Sequence, residues 1–257
     1  YLKYTSLKNK IKYYNFRNVN SRYAFKKLLS HDCDIYVSMS YDQIFKKELI
    51  KLPKRGIINC HAGNLPDYRG RNILNWAIIN GEKQYGITTH FINNKIDDGN
   101  IILQKKYKIN TNDDYGTILN KSYDRCANLL YSTIYLFNKK KVISTPQNKI
   151  SSKRRYFSKR DAEDEVINWS DDLIAIVNLI RGITFPGPGA RSKLFNSVIR
   201  IYKAQKFNNQ KKLYKSYKNG TIVQLKPNYF LVKCSNGILK VKKWHYKNKL
   251  KVGDILK

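Results

Sequence analysis

An apolar run that ends abruptly in polar residues, glycine and proline constrains this sequence most, at residues 57–71. Such a run predicts a buried β-strand that opens into a polar loop. Because side chains alternate along a strand, Asn59 and His61 leave on one face while Cys60 points to the other. Ligands of open α/β sheets bind beyond the carboxyl ends of the strands, so the amide and imidazole mark a candidate site. The alternative is that both side chains only satisfy backbone groups at the strand end.

A second strand is predicted at residues 85–92, and Asp97-Asp98-Gly99 follows it before another apolar run. An acidic pair beside a glycine, between two apolar segments, predicts a tight turn. Such a turn can aim a carboxylate at a neighbouring strand end. We therefore expect Asn59, His61 and one of the two aspartates to meet.

Three motifs together resemble the formyltransferase family that uses N10-formyltetrahydrofolate. Asn59-Cys60-His61 matches the family's Asn-x-His, residues 65–70 match Leu-Pro-x-(Tyr/Trp)-Arg-Gly, and Asp97-Asp98-Gly99 matches Asp-x-Gly. Their order and spacing are also those of the family. The resemblance implies an α/β fold, with a Rossmann-like formyltransferase domain, partial at its start, followed by a small OB-like β-barrel domain.

The resemblance also implies Asn59, His61 and Asp97 as catalytic residues. Formyl transfer needs a stabilised tetrahedral oxyanion and a route for the proton of the attacking amine. Asn59 can donate an N–H, His61 can donate or accept a proton, and Asp97 can orient His61 or hold a water that relays protons. No activated serine or cysteine accompanies them, so we expect direct transfer. Asp98 competes with Asp97, but the motif spacing selects Asp97 and leaves Asp98 as a turn residue.

The family's co-substrate and acceptor sites map onto two further groups of residues. The predicted contacts of N10-formyltetrahydrofolate are Ser38, Met39, Ser40, Tyr41, Asp97 and Gly99. The predicted acceptor contacts are Tyr68, Arg69, Gly70, Arg71 and Asn72. For Arg69 and Arg71, the alternative is that one of them pairs with a local carboxylate.

The stretch from Tyr68 to Trp76, with residues 79–82, resembles the family members that act on amino-sugar nucleotides. We therefore predict an amino-sugar nucleotide as acceptor. The first alternative is methionyl-tRNA, and a second is a non-catalytic binding protein of the same fold. Intact Asn59, His61 and Asp97 argue against the last, because such a protein could lose them.

The formal charge of +32 at pH 7 permits a nucleic-acid partner. Lysine, however, is spread along the chain and accompanies abundant Asn, Ile and Tyr, as AT-rich coding would produce. The four cysteines lack a Cys-x-x-Cys pair, which argues against a metal site or a disulfide framework and favours a reducing cytoplasm. No apolar run approaches the length of a membrane span, and the sequence leaves a homodimer open.

We predict a catalytic domain over residues 1–140, a basic linker over 141–165 and a carboxyl-terminal domain over 166–257. The chain begins with Tyr1, and the family match begins near residues 12–20, so we expect about one βαβ unit of the family's domain to be absent. Local patterns predict strands at 11–16 and 33–39 and helices at 44–52, 71–80, 113–137 and 171–182, with Ser170 as the last helix's N-cap. The core positions expected in helix 113–137 are Leu119, Tyr123, Cys126, Leu130 and Ile134. Further strands are expected at 198–202, 220–225, 229–234, 237–241 and 252–256.

Overall fold

The computed structural model describes residues 2–207 and 216–257. The strands are β1 Tyr36–Met39, β2 Ile57–His61, β3 Arg69–Gly70, β4 Gln84–Phe91, β5 Ile101–Lys108, β6 Tyr156–Phe157, β7 Ala190–Leu194, β8 Ser197–Lys206, β9 Ile222–Lys226, β10 Tyr229–Cys234 and β11 Gly237–His245. The α-helices are α1 Leu2–Lys8, α2 Arg22–Leu29, α3 Lys47–Ile50, α4 Ile73–Ile79, α5 Tyr115–Asn138 and α6 Leu173–Ile183. Within these residues, no helix is long and apolar enough to cross a membrane.

The first sheet has the order β1-β2-β4-β5, with β1 parallel to β2 and the other pairs antiparallel. Helix α5 packs against β4, β5 and β2. The Asp114 side chain accepts from Thr117 N–H, and Thr117 accepts from Asp114 N–H, so a capping box starts this helix. Strand β2 therefore lies between β1 and β4 with α5 packed on it, and its last residues, Cys60 and His61, lead into the loop.

The second sheet has the order β7-β8-β11-β10-β9, and its neighbouring pairs are antiparallel. Helix α6 packs on it, and a continuous apolar core joins the two. The last residues of the chain hydrogen-bond to both edges, Lys257 to Lys193 and Leu256 to Gly220. The predicted combination of a Rossmann-like α/β part and a small β domain is confirmed, with the tail linking the two edges of the second sheet.

Several local predictions were wrong, because strand pairing and helix capping decide where an element forms. Residues 11–16 are not a strand, since no neighbouring strand pairs with them. Residues 252–256 contribute only an isolated bridge, Thr221 to Ile255. The predicted helix at 44–52 shortens to α3. Helix α6 starts later than predicted because Asp172, not Ser170, accepts from the N–H of Ile174.

The buried face of α5 also differs from the prediction. Tyr123 is 56 % exposed, so its assignment to the core was wrong. The buried positions are Ile118, Ser122, Cys126, Leu129, Thr133 and Phe137. Thr133 lies on that face because its hydroxyl meets the hydroxyl of Thr89 on β4 at 2.8 Å. A polar pair inside the core was invisible to a pattern that counted only apolar residues.

Candidate active site

Cys60 faces away from the candidate site, as strand alternation predicted. Its thiol lies among buried residues of the α5 side and contacts the carbonyl of Cys126 at 3.7 Å. The hydrogen bond with the Cys126 side chain, together with burial, raises the pKa of the Cys60 thiol far above its usual range. Cys60 is therefore held as a protonated packing residue, which argues against a role as a nucleophile.

Asn59, His61 and Asp97 come together at the carboxyl end of β2. The Asp97 carboxylate lies 3.6 Å from His61 Nδ1 through Oδ2 and accepts from Asn59 Nδ2 at 3.4 Å through Oδ1. Gly70 N–H donates to Asp97 Oδ2 at 2.9 Å. Burial alone would raise the pKa of Asp97, but the contacts from His61, His90 and Gly70 outweigh it and hold that pKa below its usual range. Asp97 is therefore a buried, ionised carboxylate.

The hydrogen bond between His61 and Tyr68 determines which ring nitrogen of His61 carries the proton. His61 Nε2 lies 2.7 Å from the carbonyl oxygen of Tyr68, so Nε2 must donate. Burial lowers the pKa of His61, and the neighbouring Asp97 charge only partly offsets this. In the neutral ring, Nδ1 is then the basic nitrogen, and it faces Asp97. A proton taken up at Nδ1 would form an ion pair with this carboxylate.

His90 is a site residue that the sequence analysis missed. It is 2 % exposed, and its Nε2 lies 3.3 Å from Asn59 Nδ2 and 3.5 Å from Asp97 Oδ1. Its Nδ1 donates to the carbonyl of Phe91 at 2.8 Å. The register pairs Asn59 directly with His90 across β2 and β4. Directly opposed residues share a face, so aligning the two predicted strands could have found His90.

The turn that carries Asp97 is tightly fixed. Asp97 has a left-handed φ of +48°, which an L residue adopts at a cost. A Cβ at Gly99 would lie 1.8 Å from the Phe91 carbonyl oxygen, so only glycine fits there. Asp98, predicted as a turn residue, follows Asp97 in this turn and also binds the guanidinium groups of Arg69 and Arg154. The pairing with Arg154 was not visible in the local sequence, because Arg154 lies 56 residues further along the chain.

The predicted linker packs against the site. Strand β6 pairs in parallel with β3, and a Cβ at Gly70 would meet the Phe157 carbonyl oxygen at 2.0 Å. Arg155 binds both oxygens of Asp67, with Nε to Oδ1 at 2.8 Å and Nη2 to Oδ2 at 2.6 Å. The residues between the two domains thus support the loop that presents Gly70 N–H to Asp97. The domain boundaries themselves remain a prediction.

A cavity of about 570 Å³ opens above Asn59, His61, His90 and Asp97. Ser38, Ser40 and Tyr41 line it from the β1 side, and Gly70, Arg71 and Asn72 line it from the loop before α4. Tyr41 stacks on Phe45 with ring centroids 5.4 Å apart. Polar groups, aromatic rings and a deep charged floor together suit a sizeable ligand with both apolar and polar parts.

Four residues predicted as ligand contacts do not line this cavity: Met39, Gly99, Tyr68 and Arg69. Met39 alternates away from Ser38 along β1, and Gly99 packs on the Phe91 carbonyl. The Tyr68 hydroxyl donates to Glu82 at 2.6 Å. Arg69 pairs with Asp98 at 3.1 Å, so the alternative of a local ion pair holds for Arg69. The side chains of Tyr68 and Arg69 thus hold the loops beside the cavity.

Metal chemistry receives no support from the residues that the structure describes. Within residues 2–207 and 216–257, no three His, Cys, Asp or Glu side chains are grouped so that they could hold a metal ion. The two histidines of the site instead share one carboxylate with Asn59. This arrangement can hold a negative charge, accept a proton and donate hydrogen bonds at one place.

Comparisons with known proteins agree with the motifs. The sequence model of the formyl transferase domain matches residues 4–134, and that of the formyl transferase carboxyl-terminal domain matches residues 159–257. The chain is 35% identical over 93% of its length to the bifunctional polymyxin resistance protein ArnA of Wigglesworthia glossinidia brevipalpis, and the match spans 35% of that longer protein. It is 33% identical to the methionyl-tRNA formyltransferase of Alkaliphilus oremlandii, over 86% of this chain and 69% of that one.

Solved structures show the same fold. The sugar 3N-formyl transferase WlaRD, crystallised with dTDP and 5-N-formyl-THF, superposes with a TM-score of 0.71 at 25% identity. That match covers 97% of this chain and 82% of WlaRD. An N-formyltransferase from Helicobacter canadensis also has a TM-score of 0.71, at 23% identity, over 94% of this chain and 82% of that one.

Proposed function

Because this chain belongs to the formyl transferase family, we propose that it transfers a formyl group from N10-formyltetrahydrofolate to the amino group of an amino-sugar nucleotide. The observation that carries this proposal is the convergence of Asn59, His61 and Asp97 at the floor of one cavity. These are the residues of the family motifs, and their contacts supply what the reaction needs.

The cavity fits a reduced folate. The stacked Tyr41 and Phe45, with Ile44, Ile92 and Ile96, give apolar surface for a flat ring system. Ser38, Ser40 and Asn93 add polar groups to the lining of the cavity. When bound, the co-substrate supplies a formyl carbon on which an amine can form a new C–N bond while the bond to N10 breaks. The proton lost by the amine ends on the departing N10.

Asn59 stabilises the charge that develops on the formyl oxygen. Its two amide hydrogens point to His90 Nε2 at 3.3 Å and to Asp97 Oδ1 at 3.4 Å. Both contacts are longer than a usual N–H hydrogen bond of about 2.9 Å. A developing oxyanion therefore competes well for either hydrogen.

His61 takes the proton of the attacking amine. Its Nε2–H is held by the Tyr68 carbonyl, so Nδ1 is the acceptor, and the resulting imidazolium lies 3.6 Å from the Asp97 carboxylate. Because burial lowers the pKa of His61, the ring is neutral and ready to accept at neutral pH. Asp97 orients the ring and stabilises the charged form that follows.

An anionic acceptor suits the cations at the cavity. Arg71, Lys95 and Lys159 line it. Among the described residues, neither lysine pairs with a carboxylate, and the Arg71 side chain makes one hydrogen bond, to the Asp42 carbonyl at 3.2 Å. These side chains leave donors for a diphosphate. WlaRD, which acts on a sugar and was crystallised with dTDP, supports the same acceptor class.

Methionyl-tRNA is the second candidate acceptor. Methionyl-tRNA formyltransferases match this chain nearly as well as ArnA does, at 33% and 32% identity over 86% and 99% of its length. The charge of +32 is compatible with RNA binding.

The proposal is tested by offering N10-formyltetrahydrofolate with a panel of UDP- and dTDP-linked 4-amino and 3-amino sugars, and separately with charged initiator tRNA. Mass spectrometry would detect the formylated product. We expect formylation of at least one amino-sugar nucleotide. Product from tRNA alone would assign the second candidate, and no product from any acceptor would contradict formyl transfer.

A further inference from the structure

Gln147 contacts the backbone of the turn that carries Asp97, and it is 2 % exposed. It belongs to a short 3₁₀ turn, Gln147–Lys149, in the segment between the two domains. Its Nε2 donates to the carbonyl oxygen of Asp97 at 2.8 Å and to that of Gly99 at 2.9 Å. One side-chain amide from a distant part of the sequence thus holds both ends of the turn that carries Asp97.

The conformation of that turn decides where the Asp97 carboxylate lies. Asp97 has a φ of +48°, and the more common extended conformation would swing the carboxylate away from His61. The carbonyls of residues 97 and 99 converge on one NH₂ group only while the turn keeps its present shape. The two donations therefore favour the left-handed conformation over its alternatives.

The other polar atom of Gln147 has no partner. Its Oε1 is buried without a hydrogen bond among the residues that the structure describes. A buried unpaired acceptor is costly, so general packing does not explain an amide at this position. Among the described residues, both hydrogen bonds of the side chain go to the turn that holds Asp97 and Gly99.

We propose that Gln147 is a positioning residue for formyl transfer, which fixes the Asp97 turn so that the carboxylate faces His61 and Asn59. The inference rests on the proposed function, since it assumes that Asp97 acts in catalysis. Gln147 itself touches neither the substrates nor the reacting atoms. It acts through the backbone of residues 97–99.

The test compares Gln147→Leu with Gln104→Leu. Gln104 is a matched control because its Nε2 also makes two hydrogen bonds, to the Leu65 carbonyl at 2.7 Å and to the Thr88 hydroxyl at 2.9 Å, and none to residues 97–99. For Gln147→Leu we expect kcat to fall by about tenfold or more, with KM for both substrates nearly unchanged, because a small misplacement of a catalytic group costs rate. The control should lose thermal stability without that fall in kcat.

The pH profile of kcat separates positioning from loss of stability. The Asp97 charge raises the pKa of His61, so a displaced carboxylate should move the acidic limb of the profile to lower pH in Gln147→Leu. If Gln147→Leu does not fold, Gln147→Glu keeps the shape of the side chain and, when ionised, removes both donors. Its kcat at neutral pH should then fall by about tenfold or more.

Unchanged kcat in either folded Gln147 variant, or an equal loss of kcat in Gln104→Leu, would overturn the proposal. Asp97→Asn separates this failure from that of the proposed function. If Asp97→Asn is inactive while Gln147→Leu is fully active, only the role of Gln147 fails. If Asp97→Asn is itself active, the catalytic assignment on which the role depends fails.

Discussion

The Asp97 carboxylate is the point on which the other polar groups of the site depend. It contacts two histidines and accepts from Asn59 and from the N–H of Gly70. Removing its charge therefore changes the environment of every group proposed to act on the formyl transfer.

We expect Asp97→Asn and His61→Gln each to lower kcat by about a hundredfold or more, because one removes the charge that stabilises the imidazolium and the other removes the base. Steady-state kinetics would measure the loss, and circular dichroism would check the fold. Cys60→Ala is a matched control on the same strand, and it should keep nearly full activity since Cys60 faces α5. Near-normal turnover in a folded Asp97 or His61 variant would refute their roles.

The free energy of unfolding should depend on pH in the way that a buried, neutral His61 requires. Burial places its pKa below the unfolded value of about 6.5, so the unfolded chain binds more protons as pH falls below 6.5 and stability is lost. Between pH 7.5 and 5.5 this loss reaches up to about 1.4 kcal/mol for one histidine. Urea unfolding should show a smaller dependence on pH in His61→Gln, with the exposed His245→Gln as control. An identical dependence in wild type and His61→Gln would contradict a neutral His61.

At the residue scale, the sequence predicted the site only in part. Asn59, His61 and Asp97 could be identified from the sequence because local patterns place them at a strand end and in a turn. His90 could have been found only by aligning the two predicted strands, and Gln147 could not be found, because its role depends on a contact between distant segments. For Arg69 the sequence left two alternatives open, an acceptor contact or a local ion pair, and the partner Asp98 of the observed ion pair lies on another loop.

At the scale of elements, the segment between the domains is the main departure from expectation. Its run of basic residues, with Arg154 and Arg155, is typical of a solvated linker. The structure pairs β6 with β3 and brings Arg155 to Asp67, 88 residues earlier in the chain. Burial alone would raise the pKa of Asp67, but the hydrogen bonds and charge of Arg155 hold it below its usual range. The partners of this segment could not be identified from its own sequence.

A double-mutant cycle tests this pairing. We expect Asp67→Asn and Arg155→Gln to be coupled by about 1–2 kcal/mol in the free energy of unfolding, because the contact is bidentate and Asp67 is buried. The exposed pair Asp32 and Lys54, 3.4 Å apart, is a matched control whose coupling should be close to zero. Urea unfolding of the single and double variants measures both couplings. Additive effects at Asp67 and Arg155 would contradict a supporting role for this segment.

For the whole molecule, the order of the domains and the fold class followed from motifs and strand patterns. The contacts at the two edges of the second sheet could not be predicted, because the carboxyl-terminal residues reach both edges through backbone hydrogen bonds between distant parts of the chain. The net charge is a property of the whole chain that fits both acceptors. A sugar diphosphate and a tRNA are both anionic, but they differ in how many phosphates they present to the protein.

The most direct measurement is the dependence of kcat/KM for the acceptor on salt concentration, for amino-sugar nucleotides and for charged initiator tRNA assayed in parallel. A sugar nucleotide presents two phosphates, so we predict formylation with a shallow dependence on salt, and a raised KM in Arg71→Ala compared with the exposed control Arg22→Ala. A tRNA held by many phosphates would lose affinity by orders of magnitude over a few-fold rise in salt. Formylation of tRNA with that steep dependence, and none of the amino-sugar nucleotides, would contradict the proposed acceptor.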